Sequence, residues 1–250
     1  MDHPSEFFDQ TAGFYDATYE ARAIEDVDFW VERALAADGP VLEVACGTGR
    51  VYLELLEAGV DADGFDASTE MLSVLRERAA QRGLEPTVWA GDMRNPNVDR
   101  SYDLVIVPFR SFLHLLDIED QLEALEEFHE LLAPGGELVI AFFAPDFDVI
   151  CTTYGEWQES TVTVEETEYT VRNYTELVDE IELLVEGTQE IVGPEGDQVL
   201  ESSFHLNLVS KREFELLLDR SPFQEYSVYG DFDLDPLESA SQEMVWIIER

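Results

Sequence analysis

Basic residues are scarce in this chain of 250 residues. Its 14 lysines and arginines face 56 aspartates and glutamates, the formal net charge is −42, and Lys211 is the only lysine. A surface this negative repels a phosphate backbone, whose binding depends on basic side chains, so we expect no nucleic-acid partner. The charge favours the acidic surface of a halophilic protein, because salt screens the self-repulsion. A specific basic partner is the alternative.

Long apolar runs and cysteine are also scarce. No apolar run approaches the ~20 residues that a membrane-spanning helix needs, so we expect no membrane contact. The acidic start MDHPSEFFDQ lacks the basic and apolar parts of a secretory signal, which indicates a cytoplasmic protein. Cys46 and Cys151 form no paired motif and have no histidine at ligand spacing. We therefore expect two inert buried thiols and no metal.

Strand-like and helix-like segments alternate through the first 145 residues, which predicts an α/β fold with a parallel sheet between helices. Predicted strands lie near 41–45, 60–66, 87–90, 104–107 and 137–143. Predicted helices lie near 26–37, 51–58, 68–81 and 118–132. In the first helix, Leu35 is assigned to the buried stripe together with Val27, Trp30, Val31 and Ala34. Ser68 is the expected N-cap of the third.

The second part of the chain has a different pattern. Residues 157–209 are rich in Thr, Val, Tyr and Glu in two-residue alternation, which predicts antiparallel strands inserted into, or added to, the main sheet. These strands lack a core of their own, so they form a subdomain within a single domain. A helix near 211–219 and strands near 225–232 and 243–249 complete the pattern.

The motif with most chemical information is the segment VLEVACGTGR at 41–50, where a buried strand runs into a glycine loop and then a helix. Gly47 and Gly49 let the backbone approach a ligand closely. A dinucleotide fingerprint needs a third glycine where this chain has Tyr52. Glu43, inside the strand, repels a pyrophosphate but accepts a hydrogen bond from an ammonium group. The motif favours a cofactor with a cationic amino-acid part over NAD, and a glycine turn without a ligand is the alternative.

Two aspartates follow the next two strands. Asp66 ends the second strand, where its carboxylate can accept from both hydroxyls of an adenosine ribose or can cap a helix. Asp92, in the segment AGDMR at 90–94, can accept from an adenine amino group or lie solvated in a loop. Met93 offers its backbone N–H and its apolar side chain to the same ring.

These ordered motifs resemble the class I S-adenosylmethionine-dependent methyltransferases. The resemblance covers about 38–145, including YDLVIVPF at 102–109 and LAPGGEL at 132–138. It implies a doubly wound, seven-stranded Rossmann-like sheet whose last strand is antiparallel, carrying the inserted antiparallel β subdomain. It implies S-adenosyl-L-methionine as cofactor, held by Tyr15, Glu43, Ala45, Gly47, Gly49, Asp66, Ala67, Met71, Asp92, Met93 and Pro108.

The resemblance also divides the single domain of 1–250 by role. It implies an N-terminal helical lid at 1–37, a cofactor-binding core at 38–150, the β insert at 151–209 and a C-terminal part at 210–250. Tyr15 and Tyr19 are lid residues in this interpretation, or packing residues of an amphipathic segment. The insert shapes the acceptor pocket or forms a homodimer contact.

The segment FRSFLH at 109–114 falls where members of the family meet their substrates. His114 is the best candidate for a general base, because its ordinary pKa suits proton transfer near neutrality; a helix-facing or capping histidine is the alternative. His129, His205 and His3 have weaker positions. Arg110 is predicted to hold an acidic acceptor, or to pair with one of the many carboxylates. Many relatives carry an Asn near this position, so the departure leaves the type of substrate open.

The resulting prediction is methyl transfer to a small-molecule acceptor with an N or O nucleophile, by in-line displacement. The alternatives are a protein methyltransferase, because an acidic surface attracts basic proteins, and a non-catalytic regulatory protein that binds S-adenosylmethionine. A nicotinamide dehydrogenase is disfavoured by Tyr52 and Glu43.

Overall fold

The structure is a computed structural model that describes residues 4–20 and 26–250. His3 and the side chain of Tyr19 lie outside the described part. The helices are α1 (Pro4–Glu20), α2 (Val27–Ala36), α3 (Tyr52–Glu57), α4 (Thr69–Arg82), α5 (Ile118–Leu131), α6 (Phe147–Thr153) and α7 (Lys211–Arg220), with a 3-10 turn at Ser111–His114. The strands are β1 (Val41–Val44), β2 (Ala62–Asp66), β3 (Thr87–Ala90), β4 (Tyr102–Val107), β5 (Leu132–Phe143), β6 (Gln158–Val164), β7 (Thr167–Asp179), β8 (Leu184–Val192), β9 (Gln198–Asn207), β10 (Glu225–Gly230) and β11 (Glu243–Glu249).

The main sheet has seven strands in the order β10-β11-β5-β4-β1-β2-β3. Strands β1 to β5 are parallel, and β11 lies antiparallel between β5 and β10. One face buries Phe128, Phe214 and Trp246, whereas the other buries Trp30 and Tyr52. The doubly wound fold with an antiparallel last strand is therefore confirmed.

The predicted helix α4 shows how local sequence places its end at the sheet edge. Ser68 caps the helix by accepting from the Met71 N–H, and Gly83 ends it in the left-handed conformation. The buried side chains of this helix are the predicted ones: Met71, Leu72, Leu75 and Ala79. The start of α4 is thereby fixed directly beyond the carboxyl end of β2.

Two sequence predictions about burial are wrong. Leu35 is 58% exposed, because it lies five residues after Trp30 and therefore about 140° away from it around a helix of 3.6 residues per turn. Trp30 and Ala34, four residues apart, form the buried stripe of α2. Cys46 is buried as expected, but Cys151 is exposed, because α6 has no buried side chains.

The predicted antiparallel strands form a separate sheet in the order β6-β7-β8-β9, and none of them joins the main sheet. The alternative in which they extend the main sheet is therefore wrong. Helix α1 packs against this small sheet, where the Phe7 ring lies 4.8 Å from that of Phe204 and the Phe14 ring 5.1 Å from that of Tyr169. The small sheet and α1 thus lie together over the carboxyl ends of the central strands of the main sheet.

Candidate active site

A cavity of about 410 Å³ lies at the carboxyl ends of β1, β2 and β4, between the main sheet, α1 and β9. Most of the predicted site residues line it: Tyr15, Ala45, Gly47, Asp66, Ala67, Met71, Asp92, Met93, Arg110 and His114. Glu43, Gly49 and Pro108 lie outside this lining. Pro108 directly follows β4, and its carbonyl accepts from the Ser111 hydroxyl at 3.0 Å.

The two glycines of the loop do different things. Gly47 has φ +53° and nothing within 4 Å of the place where a Cβ would stand, so its backbone is open to a ligand. Gly49 has φ +86°, and a Cβ there would lie 2.9 Å from the Cγ atoms of Leu53 and Leu75. Gly49 therefore serves the packing of the loop on α3 and α4, whereas Gly47 faces the cavity.

Asp66 joins the glycine loop to the start of α4. Its Oδ2 accepts from the Gly47 N–H and its Oδ1 from the Ser68 N–H, both at 2.8 Å. Ser68 is the N-cap of α4, so the helix-cap alternative for Asp66 is wrong. Burial raises the pKa of Asp66 to about 6, against the two backbone hydrogen bonds that lower it.

Glu43 is a buried carboxylate under the glycine loop. It is 3% exposed, and its Oε2 has no hydrogen-bond partner among the described residues. Burial raises its pKa well above the ordinary value, while the Arg50 guanidinium acts in the opposite direction. Arg50 is itself held by Asp26, with Nη2 2.9 Å from Oδ2. A buried oxygen without a partner is costly unless a ligand supplies a donor.

Asp92 is not a freely solvated acid. The Arg94 N–H and Nε both donate to its Oδ1 at 2.9 Å, and Nη2 donates to its Oδ2 at 2.6 Å. Nη1 of the same arginine donates to Asp120 at 2.7 Å. Arg94 and Asp120, which line the same cavity, were missed by the sequence analysis.

Helix α1 is fastened over the glycine loop and the start of α4 by two aspartates. Asp16 accepts from the Thr48 hydroxyl at 2.6 Å and from Arg78 at 2.7 Å, which ties α1 to the glycine loop and to α4. Asp9 accepts from the Ser68 hydroxyl at 2.6 Å, at the start of α4. Tyr15 of the same helix lines the cavity.

His114 ends the 3-10 turn after β4 and is held from three sides. Its Nδ1 lies 3.1 Å from the carbonyl oxygen of His205, which can only accept, so Nδ1 carries the proton and Nε2 of the neutral ring is an acceptor. The rings of Phe8 and Phe204 pack against it at 5.2 and 5.9 Å. Burial lowers its pKa to about 4, so the ring is neutral at pH 7 and free to accept a proton. The expectation that its ordinary pKa suits proton transfer near neutrality is therefore wrong, because the buried ring is a weaker base than a solvated histidine.

The other two described histidines do not line the cavity. His205 shares β9 with Phe204, and its Nε2 lies 3.1 Å from Glu186. His129 packs its ring against Phe223 at 5.2 Å on α5. Their weaker standing in the sequence analysis agrees with this placement.

Arg110 lines the cavity but its charge is already paired. Its Nε donates to Oε1 of Glu243 at 3.1 Å, and Nη2 donates to the same oxygen. Its guanidinium lies over the Phe143 ring, 4.7 Å from the centroid. Of the two alternatives for Arg110, pairing with a carboxylate of the chain is the one that the structure contains.

A family model described as a methyltransferase domain matches residues 41–136. A glycine/sarcosine N-methyltransferase of Aphanothece halophytica is 30% identical over 220 residues, which cover 86% of this chain and 77% of that protein. The chain belongs to the class I S-adenosylmethionine-dependent methyltransferases.

Two further matches are shorter or less similar in sequence. The chain spans about half the length of several curated relatives, such as 47% of a glycine/sarcosine N-methyltransferase of Halorhodospira halochloris at 33% identity over 49% of this chain. The CcbJ methyltransferase from Streptomyces caelestis has the same fold, with a TM-score of 0.80 and 24% identity over 99% of this chain and 98% of that one.

The cofactor of the family is S-adenosylmethionine, and the described residues fit it. Glu43 offers a buried oxygen without a partner, Gly47 offers open backbone, and Asp66 offers a carboxylate at the cavity wall. The apolar side chains of Phe65, Met71 and Met93 line the same cavity. This combination suits a nucleoside joined to a cationic amino-acid part.

Proposed function

We propose that this protein transfers a methyl group from S-adenosylmethionine to a small-molecule acceptor. The observation that carries the proposal is a single cavity whose wall runs from Gly47 and Asp66 to His114 and Phe204. Cofactor and acceptor can therefore meet in one chamber, walled by α1 and by β9 of the insert. Such a chamber favours a small molecule over a protein as acceptor.

The contacts support four cofactor-binding roles. Asp66 accepts from the ribose hydroxyls while it keeps the Gly47 N–H in place. Oε2 of Glu43 accepts from the ammonium group, directly or through water. Asp92, oriented by Arg94, accepts from the adenine amino group, and Met93 lies against the ring. Bound S-adenosylmethionine supplies an electrophilic methyl group.

The chain's own part in the reaction is alignment, exclusion of water and handling of a proton. Helix α1, fastened through Asp9 and Asp16, acts as the lid over the cofactor. Nε2 of His114 accepts a hydrogen bond from the N–H or O–H of the acceptor and takes its proton as the new bond to carbon forms. The carbonyl of His205 keeps the ring in the tautomer that this role needs.

Release of S-adenosylhomocysteine in the presence of an acceptor tests the proposed function. A panel of small amines, hydroxylated rings and amino sugars should be screened at molar KCl, with a histone-like basic protein included as an acceptor of the other class. We expect turnover with at least one small-molecule acceptor and none with the histone-like protein. Tight binding of S-adenosylmethionine without turnover of any acceptor would instead indicate a regulatory protein.

We also propose that the acidic surface is an adaptation to high salt. With a net charge of −42, screening should relieve self-repulsion more in the folded than in the expanded chain. The melting temperature should therefore rise between 0.05 and 3 M KCl (about 2–4 °C for each kcal/mol gained). Sucrose, which favours compact states without screening charge, is the control. A melting temperature that does not change with KCl contradicts the proposal and favours a basic partner.

No helix of the described residues is long and apolar enough to cross a membrane. A cytoplasmic location and a homodimer built through the insert remain predictions. Gel filtration with light scattering at high salt measures the second of these.

A further inference from the structure

We infer that the methyl acceptor is an uncharged or cationic molecule without a carboxylate or phosphate, and that Glu243 sets this preference by neutralising Arg110. The inference rests on the proposed function and narrows its class of acceptor. It concerns the part of the cavity beyond the glycine loop, lined by Phe8, Arg110, His114 and Phe204.

The first argument is the supply of positive charge. Among the described residues that line the cavity, the cationic side chains are Arg94 and Arg110. Arg94 is shared between Asp92 and Asp120, with Nη contacts of 2.6 and 2.7 Å. Arg110 binds Glu243 through both Nε and Nη2. The charge of each guanidinium is thus already compensated by a carboxylate of the chain before an acceptor binds.

The second argument is that Arg110 is fixed where it is. Its backbone N–H donates to the Ala141 carbonyl at 3.0 Å, and its φ is +69°. The guanidinium lies over the Phe143 ring, and Glu243 pairs with Phe143 in the β5–β11 register. Turning Arg110 toward an acceptor would leave the Glu243 carboxylate, whose side chain is only 18% exposed, without its partner. Leaving a mostly buried carboxylate without a compensating charge is costly.

The third argument is what an anion would meet instead. The walls around His114 are the aromatic rings of Phe8 and Phe204, and Asp117 lies at the rim. An unpaired carboxylate among these groups would lose its hydration and gain no cation. The N–H or O–H group of an uncharged acceptor can donate to Nε2 of His114. A positive charge elsewhere on the acceptor is tolerated, because Asp117 at the rim is acidic.

The inferred preference for acceptors without a carboxylate distinguishes this chain from its relatives in Aphanothece and Halorhodospira. Those proteins are named for glycine and sarcosine, which both carry a carboxylate. Because Glu243 neutralises Arg110, we expect this chain to differ from those relatives in its class of acceptor. Glycinamide and sarcosinamide replace the carboxylate with an uncharged amide, which also lowers the pKa of the amine. Each amide and its acid therefore form a pair of probes that is compared at equal concentration of the unprotonated amine.

The experiment compares the wild type with Glu243→Gln and with the double variant Arg110→Gln/Glu243→Gln. The probes are the two amide–acid pairs and a third pair formed from an amino sugar and its uronic acid. Each pair is measured with two readouts. One readout is initial rates of S-adenosylhomocysteine release. The other is calorimetric titration of the acceptor onto protein saturated with S-adenosylhomocysteine. We expect the wild type to prefer the uncharged member by at least about tenfold. Glu243→Gln should shift the preference at least about tenfold toward the acid, and the double variant should lose that gain.

The outcomes separate this inference from the proposed function. A wild type that binds or methylates both members of a pair alike overturns the inference. So does a Glu243→Gln variant with unchanged preference or with no gain in binding of any acid. Selective binding of the uncharged members without any turnover supports the inference on binding and counts against the proposed methyl transfer. S-adenosylmethionine affinity should be the same in all three proteins, because Arg110, in the part of the cavity beyond the glycine loop, and its partner Glu243 make no hydrogen bond with Gly47 or Asp66.

Discussion

Alanine at Asp66 should weaken S-adenosylmethionine binding by about 100-fold or more. The carboxylate accepts from the Gly47 and Ser68 N–H groups and, in the proposed complex, from two ribose hydroxyls. A hydrogen bond to a charged group contributes about 1.5–3 kcal/mol, so losing two of them accounts for this factor. Isothermal titration calorimetry at fixed salt measures the change.

Asp63→Asn is the matched control for this prediction. Asp63 is a buried carboxylate of the same strand, but it binds Tyr102 and Arg100 away from the cavity. The control variant should lose stability and keep its cofactor affinity. If Asp66→Ala remains folded and binds S-adenosylmethionine like the wild type, Asp66 is not a ribose ligand.

The pH dependence of cofactor binding gives a second check on Asp66. Its pKa is raised to about 6 in the free protein, and only the ionised carboxylate offers both oxygens as acceptors to the two ribose hydroxyls. Below about pH 6 the group must lose a proton before it binds, so the affinity should fall up to tenfold for each pH unit. Above that value this contribution to the pH dependence should disappear.

The cofactor half of the site could be predicted from sequence because its determinants are local. The strand, the glycine loop, Asp66 and Asp92 follow one another within 41–94, and the order of a doubly wound sheet brings their ends together. Buried strands and caps such as Ser68 also carry their own signals. The structure accordingly places Gly47, Asp66 and Asp92 in one cavity.

The acceptor half depends on contacts between residues far apart in the chain. Arg110 and Glu243 are 133 residues apart, and His114 lies 91 residues from the carbonyl that fixes its tautomer. In a chain with 56 acidic residues, no pattern indicates which carboxylate pairs with a given arginine. The two-residue alternation of polar and apolar side chains predicted the strands of the insert, but this pattern does not indicate whether those strands join the main sheet.

The role of the α1 aspartates had a weak sequence signal that was missed. Asp9 and Asp16 are seven residues apart, so they lie on one face of a helix. That face meets the start of α4 and the glycine loop. Only the folded chain shows that α1 contacts both the cofactor loop and, through Phe7, the insert.

Asparagine at His114 should lower kcat for the true acceptor by about 10²–10⁴-fold, the range typical of a general base. The amide nitrogen of Asn can still donate to the His205 carbonyl, so the turn should keep its structure, but no acceptor replaces Nε2. S-adenosylmethionine affinity should stay unchanged. Rates of S-adenosylhomocysteine release at saturating cofactor measure the effect, with His129→Asn as the control outside the cavity.

Glutamine at the same position separates orientation from proton transfer. Its amide oxygen can accept a hydrogen bond near the place of Nε2 but cannot take a proton. His114→Gln should therefore recover the acceptor KM and leave kcat low. Recovery of both parameters would show that His114 only orients the acceptor.

The pH profile of the wild type completes the test. His114 has a pKa lowered to about 4, so its neutral, proton-accepting form is already dominant above about pH 5. At saturating cofactor, kcat should show no limb from this histidine between pH 5 and 8 and should fall as the pH drops through about 4. If the acceptor is an amine, loss of its own proton would give a rise in kcat at higher pH, and this rise would persist in both variants. An acid limb near pH 6.5 in the wild type that disappears in His114→Gln would contradict a buried neutral base, and wild-type kcat in His114→Asn would remove His114 from the chemistry altogether.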